Sequence, residues 1–106
     1  MNASKRKFTD VLQIFLPSLW ACIIDLFMTV NGQSDDYWSG NLSAAKEGNE
    51  LINYFMINSP YGIFIFTLIW IITFLSIGYF LPDRILQVFA LFIMISHTYG
   101  AASWMF

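Results

Sequence analysis

Asp25 and His97 are the residues whose chemistry least suits their neighbours, because each is a strongly polar, ionisable side chain well inside a long apolar run. Ser18, Cys22, Asp25 and Thr29 follow a 4-3-4 spacing, which places them on one polar stripe of a helix. Inside a membrane such a stripe must face protein or water, since a central Asp costs roughly 2.5–3.5 kcal/mol to insert. There Asp25 can act as a metal ligand, a proton carrier or a cofactor partner. It can equally form a hydrogen bond that packs one helix on another. Gln87, Ala90, Met94, His97, Ala101 and Trp104 make a second helical stripe. His97 can pair with Asp25, because burying the two together is cheaper than burying either alone. It can also hold a metal, a haem or a chlorophyll through a neutral ring nitrogen. With no second histidine, a bis-histidine haem needs a partner chain, and no C-x-x-C-H exists for covalent haem.

The elements that must position these residues follow from composition. Of 106 residues, 58% are apolar and 11% charged, with a mean hydropathy of +0.61. A soluble domain carries about a quarter charged residues. An aromatic share of 19% also runs against disorder. The single cysteine, Cys22, gives neither an internal disulfide nor a zinc framework. A net charge of −2, with no basic run beyond Lys5-Arg6-Lys7, argues against nucleic acid as a partner. The class that remains is an all-α membrane protein, one integral domain over 1–106.

About 20 apolar residues cross the hydrocarbon, and three stretches qualify, at about 10–30, 60–81 and 85–106. Pro17 and Asp25 interrupt the first, but the Leu, Ile, Phe and Trp residues around them outweigh the cost. No A-x-A-like site follows it, so it is expected to be a retained helix rather than a signal peptide. The link Leu81-Pro82-Asp83-Arg84 is short enough to make spans two and three an antiparallel hairpin. Lys5, Arg6, Lys7 and Arg84 fall on one side and Lys46 alone on the other, which puts the N-terminus in the cytoplasm. The C-terminus and an acidic loop over 31–59 then face outward, with Asp25 and His97 both in the outer half. Within that loop, Tyr37 and Trp38 are expected as interfacial anchors. The pattern from about Leu42 to Ile57 predicts a short amphipathic helix on the membrane surface, with Gly48 a point where it can break. Ser59 and Pro60 are expected to start the second span.

Familiar catalytic signatures are absent, including G-x-S-x-G, H-E-x-x-H, a Walker loop and a dinucleotide fingerprint. The order Asp25-x-x-x-Thr29, Glu47-x-Asn49-x-Leu51 and then His97 resembles a family of small bacterial membrane proteins of unknown function. That family has a D-x-x-x-T helix end, an E-x-N-P-L segment after a loop, and a hydrophobic hairpin carrying a histidine. This chain has Glu50 where the family has proline. The resemblance implies a polar cluster of Asp25, Glu47, Asn49 and His97 at the outer face. Asp25, Glu47 and His97 are also a ligand set that suits a divalent metal.

The function expected from these features is a small accessory or structural subunit of a larger membrane complex, in the inner membrane of a bacterium. Its partners are other membrane subunits and lipid. Three short helices enclose little interior, and the 63–75 stretch offers a broad apolar surface. The alternatives are an intramembrane metal- or pigment-binding protein, or membrane enzyme, using Asp25, Glu47 and His97, and a small oligomeric channel or transporter lined by Asp25.

Overall fold

The computed structural model describes residues 6–105, which are helical throughout apart from short links. Lys5 of the basic run, and Phe106 at the expected end of the third span, lie outside the described residues. The helices are α1 (Phe8–Gly32), α2 (Asp35–Trp38), α3 (Glu50–Asn58), α4 (Gly62–Tyr79) and α5 (Asp83–Ser103). Three of them, α1, α4 and α5, are long and apolar enough to cross a membrane. Their 25, 18 and 21 residues correspond to about 37, 27 and 31 Å at 1.5 Å per residue.

Local chemistry sets the ends of these helices. Asp10 in the first turn of α1 accepts a hydrogen bond from the Lys7 N–H at 2.9 Å. Pro17 lies inside α1 without ending it. Pro82 precedes α5, and Asp83 in its first turn suits the positive end of the helix dipole. The last carbonyls of α4 are met from a distance. Arg6, only 4% exposed, donates from Nη1 to the carbonyls of Gly78 at 3.0 Å and Tyr79 at 2.9 Å. Its Nη2 reaches Asp83 Oδ1 at 2.6 Å, so one guanidinium joins the start of α1 to the end of α4 and the beginning of α5.

The register of the helices can be read from side-chain pairs. Ser18 Oγ donates to the Ala90 carbonyl at 2.6 Å, Asp25 meets His97 at 2.8 Å, and Trp104 Nε1 donates to Thr29 Oγ1 at 3.1 Å. The separations in sequence are 72, 72 and 75, and so nearly constant an offset means that α1 and α5 run in the same direction. On α4 the numbers fall as they rise on α1. Arg6 lies at Gly78, and the Phe15 ring sits 5.2 Å from that of Phe74. Helix α4 therefore runs opposite to α1. The main core, Val11, Phe15, Phe74, Leu86, Ala90 and Ile93, lies in the N-terminal half of α1 and the halves of α4 and α5 beside it. Small residues let the helices approach: a Cβ added at Gly78 would collide with the Phe15 ring.

The segment after α1 folds back over the ends of the bundle and builds a second core of Tyr37, Met56 and Ile63. Three local expectations change here. Tyr37 is fully buried, not an interfacial anchor. Its hydroxyl donates to the Met56 carbonyl at 2.9 Å, and burial pushes its phenol above the ordinary value. The helix expected from Leu42 to Ile57 is a 3₁₀ turn at Leu42–Ala44 followed by α3. What divides it is a clamp and a cap. Gln33 grips the Lys46 peptide with both ends of its amide, Nε2 to the carbonyl at 2.8 Å and Oε1 from the N–H at 2.7 Å. Asn49 Oδ1 then accepts from the N–H groups of Leu51 and Ile52 and starts a new helix. Finally, α4 starts at Gly62 rather than at Pro60. A Cβ at Gly62 would collide with the Phe55 carbonyl, so the turn from α3 into α4 is as tight as glycine allows.

Candidate functional site

At the loop end of the bundle, α1, α4 and α5 part around a cavity of about 870 Å³. Asp25 lies seven residues before the end of α1, His97 six before the end of α5, and Trp70 eight after the start of α4. At 1.5 Å per residue all three lie about 9–12 Å from the loop end of their helices. Equal depth on three different helices brings them together. His97 Nδ1 is 2.8 Å from Asp25 Oδ2, and Trp70 Nε1 is 2.8 Å from His97 Nε2.

Trp70 fixes the direction of this chain of bonds. An indole N–H can only donate, so His97 Nε2 must accept and the imidazole is neutral. Its one ring proton then resides on Nδ1 and is donated to Asp25. Both ring nitrogens of His97 are engaged. The approach behind this geometry depends on Gly100, where an added Cβ would lie 2.9 Å from Asp25 Oδ2.

Around this chain the wall is mixed. Leu26, Ile63, Phe66 and Ile69 supply apolar surface, while Thr73 and Ser96 add hydroxyls. These two hydroxyls are turned back onto carbonyls of their own helices, at Ile69 and Phe92. The segment Lys46 to Ile52 forms the roof, held in place by the Gln33 clamp. Glu47 on this roof is half-buried, and Oε1 accepts from the Asn49 N–H at 3.2 Å. Burial pushes its carboxyl above the ordinary value of 4.5 against the pull of the Asn49 N–H, and the Asp25 charge adds to the push.

Asp25, Glu47 and His97, the ligand set that suits a divalent metal, therefore line one cavity. Direct bonding joins only Asp25 and His97 of the three. Among the described residues no three His, Cys, Asp or Glu side chains converge closely enough to hold a metal ion. Asn49, the fourth member of the implied cluster, also lines the cavity while its carboxamide oxygen caps α3.

The polar stripe on α1 turns inward as its spacing demands. Ser18, Cys22 and Thr29 are buried; Ser18 and Asp25 bond to α5, and Thr29 to Trp104 just past its end. Sequence reasoning missed Trp70. A signal was present, because an indole N–H midway along an otherwise apolar span needs an acceptor. Trp104 carries the same signal in the last turns of the chain. Gln33 carried none, since a glutamine just past a helix end reads as ordinary loop.

No protein-family model, no curated protein and no solved structure matches this chain.

Proposed function

We propose that this chain is an integral membrane protein that binds a small amphipathic molecule in the cleft between α4 and α5. The observation that carries this reading is the Trp70–His97–Asp25 chain at the base of an 870 Å³ cavity. Binding sites are concave, mostly apolar and furnished with a few convergent polar groups, and this cavity has that make-up. In the membrane, α4 and α5 form an antiparallel hairpin with α1 packed along it. The basic N-terminus lies in the cytoplasm and the cleft in the outer half of the bilayer. The exposed lining residues Thr73 and Ser96 leave a way in from the side, and the α3 region rests at the membrane surface as its roof.

Metal or pigment ligation by His97 is less well supported, because Nε2 would first have to give up Trp70. The test is native mass spectrometry of protein released from its own membrane in mild detergent. A bound small molecule on the wild-type chain, absent from His97→Gln and from a Ser96→Trp variant that fills the cleft, is the expected result. Bare chain in all three preparations would sink the reading.

An accessory subunit of a larger membrane assembly is the second reading. It is favoured by the apolar surface left uncovered along α4, where Phe64, Ile65, Leu68, Ile69 and Ile72 are each 45–60% exposed. Helices in lipid associate through close packing rather than area burial, so this surface suits either lipid tails or neighbouring helices. Purification under mild detergent separates the two: a reproducible set of partner chains supports the subunit reading, and a monodisperse small particle removes it.

A further inference from the structure

The charges on the cavity wall narrow the class of ligand, an argument that rests on the cleft reading above. Asp25 Oδ2 accepts from His97, and no described residue donates to Oδ1. Glu47 Oε1 accepts from the Asn49 N–H, and the Gly48 N–H adds a weaker pull on the same carboxyl. A carboxylate has about four acceptor sites, so both Asp25 and Glu47 present unused acceptor capacity to the same cavity. Glu47 feels its neighbour, since the Asp25 charge is one of the causes that push the Glu47 carboxyl upward. His97 does not offset them, because the indole bond from Trp70 keeps its ring neutral.

Among the described residues, Lys46 is the one cation on the lining. It is exposed, and there water and salt screen its charge. Asp25 and Glu47 are partly buried beside Phe66, Trp70 and Trp104, where screening is weaker. The field inside the cleft is thus negative, and its aromatic walls add a further attraction for cations.

We propose that the cleft takes a primary ammonium with an apolar tail, its N–H groups donating to Asp25 Oδ1 and Glu47 Oε2 and its tail lying between α4 and α5. An ammonium has three donors and no acceptor, which matches two carboxylates in need of donors. An anionic head meets like charge, and a neutral head leaves at least one acceptor desolvated without a partner.

The test uses the full chain in phosphatidylcholine nanodiscs, titrated with hexylammonium, hexanol and hexanoate and followed by tryptophan fluorescence, since Trp70 and Trp104 line the cleft. Saturable binding of hexylammonium is expected, weakened roughly tenfold or more by Glu47→Gln and by Asp25→Asn, with hexanol weaker and hexanoate silent. Glu47 lies on the loop, so Glu47→Gln remains informative even if Asp25→Asn does not fold. Doping the discs with phosphatidylethanolamine separates two sources of the same chemistry: competition assigns the site to a lipid head, and its absence to a free amine. The proposal is overturned if hexanol binds as tightly as hexylammonium, or if Glu47→Gln leaves the amine affinity unchanged. In either case saturable binding that Ser96→Trp abolishes keeps the cleft reading alive. If no probe saturates, both readings fall together.

Discussion

At the scale of single residues, the side chain with most influence on the site is one that cannot itself titrate. Trp70 holds His97 in the tautomer that points its proton at Asp25. Replacing it by Phe keeps an aromatic ring, though a smaller one, and removes the donor. The Nε2 lone pair then faces the cavity without a partner, and the ring is free to exchange tautomers. Nitrogen-15 chemical shifts of His97 should report a single Nδ1–H tautomer in the wild type and a mixture in Trp70→Phe; an unchanged spectrum would mean that Asp25 alone orients the ring. Asp25 and His97 should also depend on each other. Asp25→Asn and His97→Gln are each expected to lower thermal stability by about 1–2 kcal/mol, and the double variant by less than their sum. Couplings between membrane helices average only about 0.6 kcal/mol, because the unfolded chain in lipid also finds partners. Strict additivity would separate the two residues.

Glu47 behaves in the opposite sense. Its carboxyl is raised in the folded protein, chiefly by burial, so the folded state disfavours its charge. That cost is absent below pH 4.5, the ordinary value, grows as pH rises toward the raised one, and persists above it. Glu47→Gln should therefore be more thermally stable than the wild type at neutral pH and similar to it at pH 4. A variant that melts earlier at pH 7 would show that Glu47 has a favourable partner in the folded state.

At the scale of elements, two side chains tie together parts of the chain that periodicity treats as separate. Arg6 closes the last turn of α4 and grips the first turn of α5. Hydrogen bonds to a charged group contribute about 1.5–3 kcal/mol, so Arg6→Gln should lower the melting temperature by several degrees. Arg6→Lys should recover only part of this loss, since an ammonium cannot reproduce the fork of the guanidinium. Full rescue by Lys would reduce the contact to simple charge. Gln33 does the same for the roof of the cleft. In Gln33→Leu the Lys46 peptide loses both of its partners, and hydrogen exchange at Lys46–Gly48 should accelerate while the middle of α1 stays protected. Equal protection in both proteins would mean that the second core alone holds the roof.

At the scale of the whole molecule, 50 Å in its longest direction, the three long helices cover the thickness of a bilayer and the folded loop adds a cap at one end. The positive-inside asymmetry sets the expected orientation. Cysteines placed at Ser43 and at Arg84 in a Cys22→Ala background test it, because both positions are exposed and Cys22 is 2% exposed. An impermeant maleimide applied to intact cells should label position 43 and leave position 84 unmodified until the membrane is opened. The reverse pattern would invert the orientation and place the cleft in the inner half.

What the sequence determined by itself is the set of helices long and apolar enough to span a membrane and the face that α1 turns inward. Spacing of 3.6 residues and hydropathy are local quantities, and they carried the stripe of Ser18, Cys22, Asp25 and Thr29 and the matching depth of Asp25 and His97 along their helices. The tertiary structure decided how these faces meet. That α1 and α5 run in parallel with a steady offset, that Trp70 rather than Glu47 completes the bonds around His97, and that Gln33 reaches Lys46 all depend on the relative rotation and shift of separate segments. Tyr37 shows the reason most plainly: its sequence neighbours make it an interfacial aromatic, and only the return of α3 and Ile63 over the end of α1 buries it and supplies the Met56 carbonyl that its hydroxyl needs. Local periodicity records which side of a helix is polar, but a buried hydrogen bond is fixed by the partner that packing brings to it.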